Sequence, residues 1–420
     1  MKGNARAITS PFLGSWRCRV PTFYQAGVGG ASPLDGEFSL GADCYSEPLR
    51  DMVEELAVCM TYEKACHFVA RYFGHSLSTR TVQRLVAQDA SAVLAYYEQR
   101  PAPNVSEEGS ILVIQGDGKG VPLVRPAAAA RKVRLGRGEK RNQKKEAIVT
   151  TGYTVAPYPR TADEFIEALC APVPTAEAAL ATERPAPQHK HLWATLDGKE
   201  AALERLQRTI RVRQGSHITH QIALCDGCEA LQQRLQEAFP DFTLILDVIH
   251  VSEYLWKAAT ALWGECDEPR IPWVKTHLHT LLAGQTAQVV QALRDQASQP
   301  ECSTQAHRHL SQSAAYFARN APYMAYDDYL AHGWPIASGV IEGACRHLVK
   351  DRFELSGMRW TQDGAEHLLR LRAVHENGDW NTYHAFRHRQ RHAQLYGSPF
   401  PGHPVPEALL LESHTLPLAA

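Results

Sequence analysis

Three acidic residues stand beside glycines where a strand end or a helix start would present them: Asp117 in VIQGDGKG, Asp226 in IALCDGCE and Glu342 in SGVIEGAC. Carboxylates crowded at one place repel each other unless a cation joins them. A hard cation such as magnesium is held by a few carboxylate oxygens, with water and substrate phosphate completing its shell. Two such ions roughly 3.5–4 Å apart can activate an attacking oxygen and stabilise a leaving one in phosphodiester chemistry. Asp117, Asp226 and Glu342 are therefore the candidate catalytic and metal-binding set, with two Mg2+ (or Mn2+) ions as cofactor. Singly, each acid has an ordinary explanation, because Asp-Gly is a common turn and Glu near a helix start favours the helix dipole. A fourth acid competes for the second place. Asp247, in LILDVIH, also follows an apolar run, and its Asp-x-x-His spacing pairs it with His250, hydrogen-bonded behind the site. Strand count favours Asp226.

The elements that must position these acids are legible in the pattern of apolar residues. Strand-like runs cover 111–121, 146–157, 190–198, 218–227 and 242–251, and helical spacing separates the third from the fourth and the fourth from the fifth. Three strands followed by alternating helices and strands is the chain order of a ribonuclease H-like α/β fold, a mixed sheet with flanking helices. In that order the first and fourth strands are neighbours, which would bring Asp117 and Asp226 to one sheet edge. Residues 105–251 form the first part of this core, 252–332 an all-helical insertion, and 333–396 the completion of the core, with Glu342 in the first turn of a helix over 339–353.

Ahead of the core, residues 44–104 carry apolar positions at helical spacing and several helix starts. Within them TYEKACHFVARYFG, a short turn and STRTVQRLVAQ match a helix-turn-helix, a DNA-reading layout. Ser78 and Thr79 suit the helix start, Val82, Leu85 and Val86 face the partner helix, and Arg80, Gln83 and Arg84 face out. A helical bundle with no DNA role fits the same pattern. Residues 1–43, rich in Gly and Pro, read as an irregular leader, and 397–420, rich in Pro, as a mobile tail.

A formal net charge of -1 over 420 residues does not favour nucleic-acid binding as a whole, so DNA contact must come from local patches. The run from 131 to 145 is one: Arg131, Lys132, Arg134, Arg137, Lys140, Arg141, Lys144 and Lys145 against Glu139 alone. Around Glu342, Arg346, Lys350, Arg352 and Arg359 could hold phosphates and Trp360 could stack on an unpaired base, though a solvated helix face with a core Trp fits each residue equally well. Arg346 lies one helical turn beyond Glu342, so an ion pair between them is the simpler reading of that residue. The 10 cysteines show no secretory context, and Cys225 and Cys228 read as buried thiols at a strand-to-helix junction. No apolar run approaches the roughly 20 residues needed to span a bilayer, and the N-terminus lacks an apolar signal core. A cytoplasmic, nucleoid-associated protein is expected.

Four blocks together resemble the ISKra group of bacterial insertion-sequence transposases: GDGKG at 116–120, PYPRTADEFIEAL at 157–169, LDVIHVSEYLWKAA at 246–259 and IASGVIEGACRHLVKDRFELSGMRWTQDGAEHLLRLRA at 336–373. The resemblance covers most of the chain from about Pro33. It implies DDE chemistry, in which hydrolysis frees a 3′-hydroxyl at an element end and that hydroxyl attacks target DNA. It places Asp117 and Glu342 in the catalytic set directly, and Asp226 through the wider DDE pattern in which an Asp-x-x-His or Cys-x-x-His pair follows the second acid. DNA, both element ends and target, is the implied partner, with a homo-oligomer assembling on it. The front end departs from the group: Gln25 and Val28 stand where paired cysteines are expected, leaving Cys18 and Cys44 without mates for a zinc ribbon. Two other classes fit the same residues, a catalytically inactive or domesticated DNA-binding remnant and a ribonuclease H-like nuclease.

Overall fold

A computed structural model describes residues 4–10, 14–20, 23–25, 29–31, 43, 45–124, 143–170, 184–265, 267–355 and 357–396. Nine strands are seen among them. Four form short ribbons, β1 (Asn4–Ser10) with β2 (Gly14–Val20) and β3 (Phe23–Gln25) with β4 (Gly29–Ala31), both antiparallel. The stretch expected to be irregular thus contains paired strands, which its glycines and prolines masked in the sequence. The other five are β5 (Ile111–Leu123), β6 (Gln143–Val155), β7 (Gln188–Thr195), β8 (His220–Cys225) and β9 (Thr243–Leu246). They make one sheet in the order β7-β6-β5-β8-β9, with β6 and β7 antiparallel and β5, β8 and β9 parallel. The first and fourth of the five are neighbours.

The chain divides into two compact units. One comprises 101–120 and 145–349 and holds most of the sheet. Its parallel strands are buried on both faces, so they read as continuous apolar runs. Alternate side chains go to opposite sides. Ile111, Val113, Ile222, Leu224 and Ile245 join a core with Val251, Leu255, Leu278, Leu293, Leu310 and Phe317 from the helices after β9. Leu112, Ile114, Ala223 and Leu244 join a second core with Leu203, Leu206, Leu231 and Leu235 from the helices Lys199–Arg211 and Glu229–Ala238. The helical segment expected as an insertion is therefore the cover of one sheet face. It also starts earlier than expected. β9 stops at Leu246, and Asp247 caps the helix Val248–Trp263, so VIHV is helix and not strand. A capping Asp satisfies backbone N–H groups that a helix start leaves without partners.

The other unit comprises 1–100, 121–144 and 350–420. Helices Glu47–Cys59, Tyr62–Phe73, Thr79–Ala90 and Val93–Gln99 are joined here by Gln362–Glu376, packed on the first and third, and Trp380–Tyr396, packed on the fourth. Residues 351–396, expected to complete the sheet core, instead complete this helical unit. The helix-turn-helix layout has the anticipated local chemistry. Thr61 accepts from the Lys64 amide, Gly74 closes its helix at φ 69°, and Ser78 accepts from the Thr81 amide at 3.1 Å. Val82, Leu85 and Val86 are buried, and Arg80, Gln83 and Arg84 are exposed. Among the described residues no helix is long and apolar enough to cross a membrane.

A candidate divalent-metal centre on one face of three parallel strands

The register of the parallel strands decides which acids meet. Gln115 on β5 pairs with Leu224 on β8, and Cys225 pairs with Leu246 on β9. Continued past those pairs, the same register sets Asp117 across from Asp226 and Asp226 across from Asp247. The three acids thus form a row on one face, the face covered by the later helices. The amide of Asp247 still donates to the Cys225 carbonyl at 2.9 Å, so the β8–β9 ladder reaches the row. Asp117 does not end its strand, as the sequence suggested. β5 runs on to Leu123, but burial falls off at Asp117, so the strand emerges from the core there.

Each acid is held differently. Asp117 accepts from the Gly118 amide at 2.6 Å and from the Cys345 thiol at 3.3 Å. Asp226 follows β8 directly and accepts from the Cys228 amide at 3.1 Å. Burial pushes the Asp226 carboxyl above its ordinary range; the charges of Asp117 and Asp247 push the same way, against the Cys228 amide and His250. A carboxylate raised by its like-charged neighbours is one that a cation would relieve. Gly227 is required beside it: a Cβ there would lie 2.2 Å from the Tyr316 ring.

Asp247, fully buried, accepts from the amides of Ile249, His250 and Ser338, from the Ser338 hydroxyl at 2.7 Å and from His250 Nδ1 at 2.6 Å. A carboxylate has about four acceptor sites. Its oxygens are saturated, and its work is to hold the helix start, Ser338 and His250. The hydrogen bond to Asp247, against the opposing effect of burial, lifts the His250 imidazole to about 9, and the charges of Asp247, Asp226 and Glu253 add to it. A shift in that direction favours the protonated ring.

Glu342 is exposed, in the helix Gly339–Ala344, which continues as a π-helical turn over Cys345–Lys350. Its Oε1 accepts from the Ser338 hydroxyl at 3.2 Å, the same hydroxyl that serves Asp247, so one proton lies between two carboxylates. Ligand atoms of Asp247, His250 and Glu342 lie within 4.8 Å of one another. Two contacts fasten the Glu342 helix to β5: Gln115 Oε1 accepts from the Ile341 amide at 2.9 Å, and the Cys345 thiol donates to Asp117. Gln115 also donates to the Tyr153 hydroxyl at 3.1 Å. Gln115, Ser338 and Cys345 escaped the sequence reading. The signal for Gln115 was present, a polar residue inside the apolar run ILVIQ, two positions from Asp117 on the same strand face.

The expected DNA-contacting residues fall into three groups. Arg131, Lys132, Arg134, Arg137, Lys140 and Arg141 lie outside the described residues, as do the tail and Cys44, while Cys18 falls on β2. Arg80, Gln83, Arg84, Lys144, Arg346, Lys350 and Arg359 are exposed and Lys145 is half-buried, while Lys144 pairs with Glu354 at 2.5 Å. Arg352 and Trp360 are corrected to interior residues. Arg352 is fully buried, donates from Nε to the Ala57 carbonyl at 2.9 Å and lies over the rings of Tyr62 and Trp360. Trp360 packs on Tyr62 and Phe353. A guanidinium and an indole so enclosed are core pieces and cannot meet phosphate or base without unpacking. Cys225 is buried and Cys228 half-buried, both free thiols.

No family model matches the chain, and no curated protein matches it. Among solved structures, a chain of the Drosophila P element transposase strand transfer complex aligns with 80% of this chain and 80% of its own length, at 9% identity and a TM-score of 0.27. That superposition is too loose to transfer the role of any residue.

Proposed function

We propose that this protein is a DDE-type transposase, a metal-dependent enzyme that cuts and joins DNA strands, built on a ribonuclease H-like sheet. The observation that carries the reading is the row of Asp117 and Asp226 on adjacent parallel strands, with Glu342 bound to the same strand through Gln115 and Cys345. The resemblance of four sequence blocks, two of which contain Asp117 and Glu342, to the ISKra group supports the same reading. Asp117, Asp226 and Glu342 would hold the ions, because they are oxygen donors of the kind magnesium prefers and only Asp247 has its oxygens already filled. The ions would supply activation of the attacking oxygen and stabilisation of the leaving one.

The protein's own residues then have definite tasks. Asp247 fixes His250 and the start of the Glu342 helix. His250 offers a proton or a positive charge at the rim of the acid row. Gln115 and Cys345 keep the Glu342 helix in register with Asp117. Outside this unit, the exposed residues Arg80, Gln83 and Arg84 would read or grip DNA in the manner of a second helix of a helix-turn-helix.

The test is cleavage and joining of DNA carrying the terminal sequences that flank the gene, with Mg2+ or Mn2+. Asp117→Ala should abolish both steps and leave DNA binding intact. Full activity in that variant, or cleavage without any divalent ion, would overturn the assignment. Specific binding of the ends with no cleavage by the unaltered protein would point to a DNA-binding remnant, and cleavage confined to RNA–DNA hybrids to a nuclease.

A further inference from the structure

A second cluster of metal-ligating side chains lies in the helical unit, and none of its residues belongs to the acid row. Asp51 on the helix Glu47–Cys59 faces His384 and His388 on Trp380–Tyr396, and ligand atoms of all three lie within 4.8 Å of one another. The two histidines are four residues apart, which puts both imidazoles on one helix face, a spacing that suits chelation of one ion. His384 Nδ1 is 2.8 Å and His388 Nε2 3.0 Å from Asp51 Oδ1. Glu47 Oε2 lies 3.5 Å from His388 Nε2 and 3.0 Å from Arg387 Nη2, so this carboxylate borders the cluster while paired with an arginine.

Two further observations point to a ligand. His384 is 6% exposed, and although its Nδ1 meets Asp51, its Nε2 has no hydrogen-bond partner among the described residues. A buried imidazole nitrogen without a partner is costly, and metal coordination of the ring is one way a buried histidine is satisfied. The surrounding charge is also unbalanced. Carboxylates of Asp43, Glu47, Asp51, Glu54 and Asp89 meet the guanidiniums of Arg50, Arg387 and Arg391. Burial pushes Glu54 well above its ordinary range, and even with that carboxyl neutral the anions outnumber the arginines.

We propose that Asp51, His384 and His388 bind a divalent transition-metal ion of the zinc class, pinning the C-terminal helix to the first helix of this unit. Two imidazoles and a carboxylate are the donor set of borderline ions rather than of magnesium. The alternative without metal is a pair of histidine rings sharing the Asp51 carboxylate.

The experiment is a calorimetric titration of metal-free, full-length protein with Zn2+, and separately with Mg2+, in a Glu342→Gln background so that the group of Asp247, His250 and Glu342 does not contribute. One Zn2+ per chain is expected, with no displacement by Mg2+ and an affinity at least about 100-fold weaker in His388→Gln and His384→Ala. His388 is partly exposed, so His388→Gln keeps the test available if His384→Ala does not fold. Absence of zinc binding, or equal affinity in a folded His388→Gln protein, would overturn the proposal.

Discussion

Both units bury carboxylates, and they treat them in opposite ways. In the helical unit Arg387 alone reaches Glu47, Asp51, Glu54 and Asp89, and Arg50 adds Asp43 and Asp89. These acids are paired within the protein, and the network holds the C-terminal helix on the N-terminal ones. In the sheet unit no ion pair to Asp117 or Asp226 is seen among the described residues, and Arg346 is exposed. A network of ion pairs is a structural device. Neighbouring carboxylates without a guanidinium partner, such as Asp117 and Asp226, are suited to binding divalent cations.

That contrast can be broken or sharpened by substitution. The largest effect is expected from Glu342→Gln, which removes one ionic oxygen from an exposed position. Strand cleavage should fall by at least about 10³-fold, since metal-held charge is worth several kcal/mol in such reactions, while the thermal unfolding midpoint stays unchanged. An unfolding shift in place of an activity loss would move Glu342 to the structural side of the comparison. In the helical unit Arg387→Met should do the reverse, leaving several buried carboxylates unpaired and costing roughly 3–5 kcal/mol of stability, measured by denaturant unfolding followed through the helical signal. Gln115→Leu tests the connection between strand and Glu342 helix. Losing the acceptor of the Ile341 amide should cost about 1–3 kcal/mol, and activity should drop with DNA binding retained.

The smallest effect concerns pH. Because the folded Asp226 carboxyl is raised above its unfolded value near 4, its contribution to stability is present below that value and is lost as pH rises through the raised folded value. Metal-free Asp226→Asn should therefore be slightly more stable than the unaltered protein at neutral pH, and added Mg2+ should stabilise only the latter. A neutral-pH loss of stability in Asp226→Asn would mean that the acid row carries no electrostatic strain.

Much of this was readable before any coordinates. The apolar runs located all five sheet strands, because strands buried on both faces must be apolar throughout. The cap at Ser78 followed from its residue type and the outward Arg80, Gln83 and Arg84 from helical periodicity. Asp247 was misread as strand because a short apolar strand running straight into an amphipathic helix leaves no polar break except the capping residue itself. Arg352 and Trp360 were misread because a buried guanidinium stacked on aromatic rings has the same letters as one that grips phosphate.

Sequence alone determined the kinds of side chain available, their spacing along each element, and the presence of acids at three places where elements begin or end. Only the tertiary structure decided which acids share a row, that Asp247 is filled by five donors, and that residues 351–396 pack with the N-terminal helices. Those outcomes depend on strand register and on contacts between segments hundreds of residues apart. Periodicity, which reports each element's own faces, holds no record of which neighbour those faces will meet.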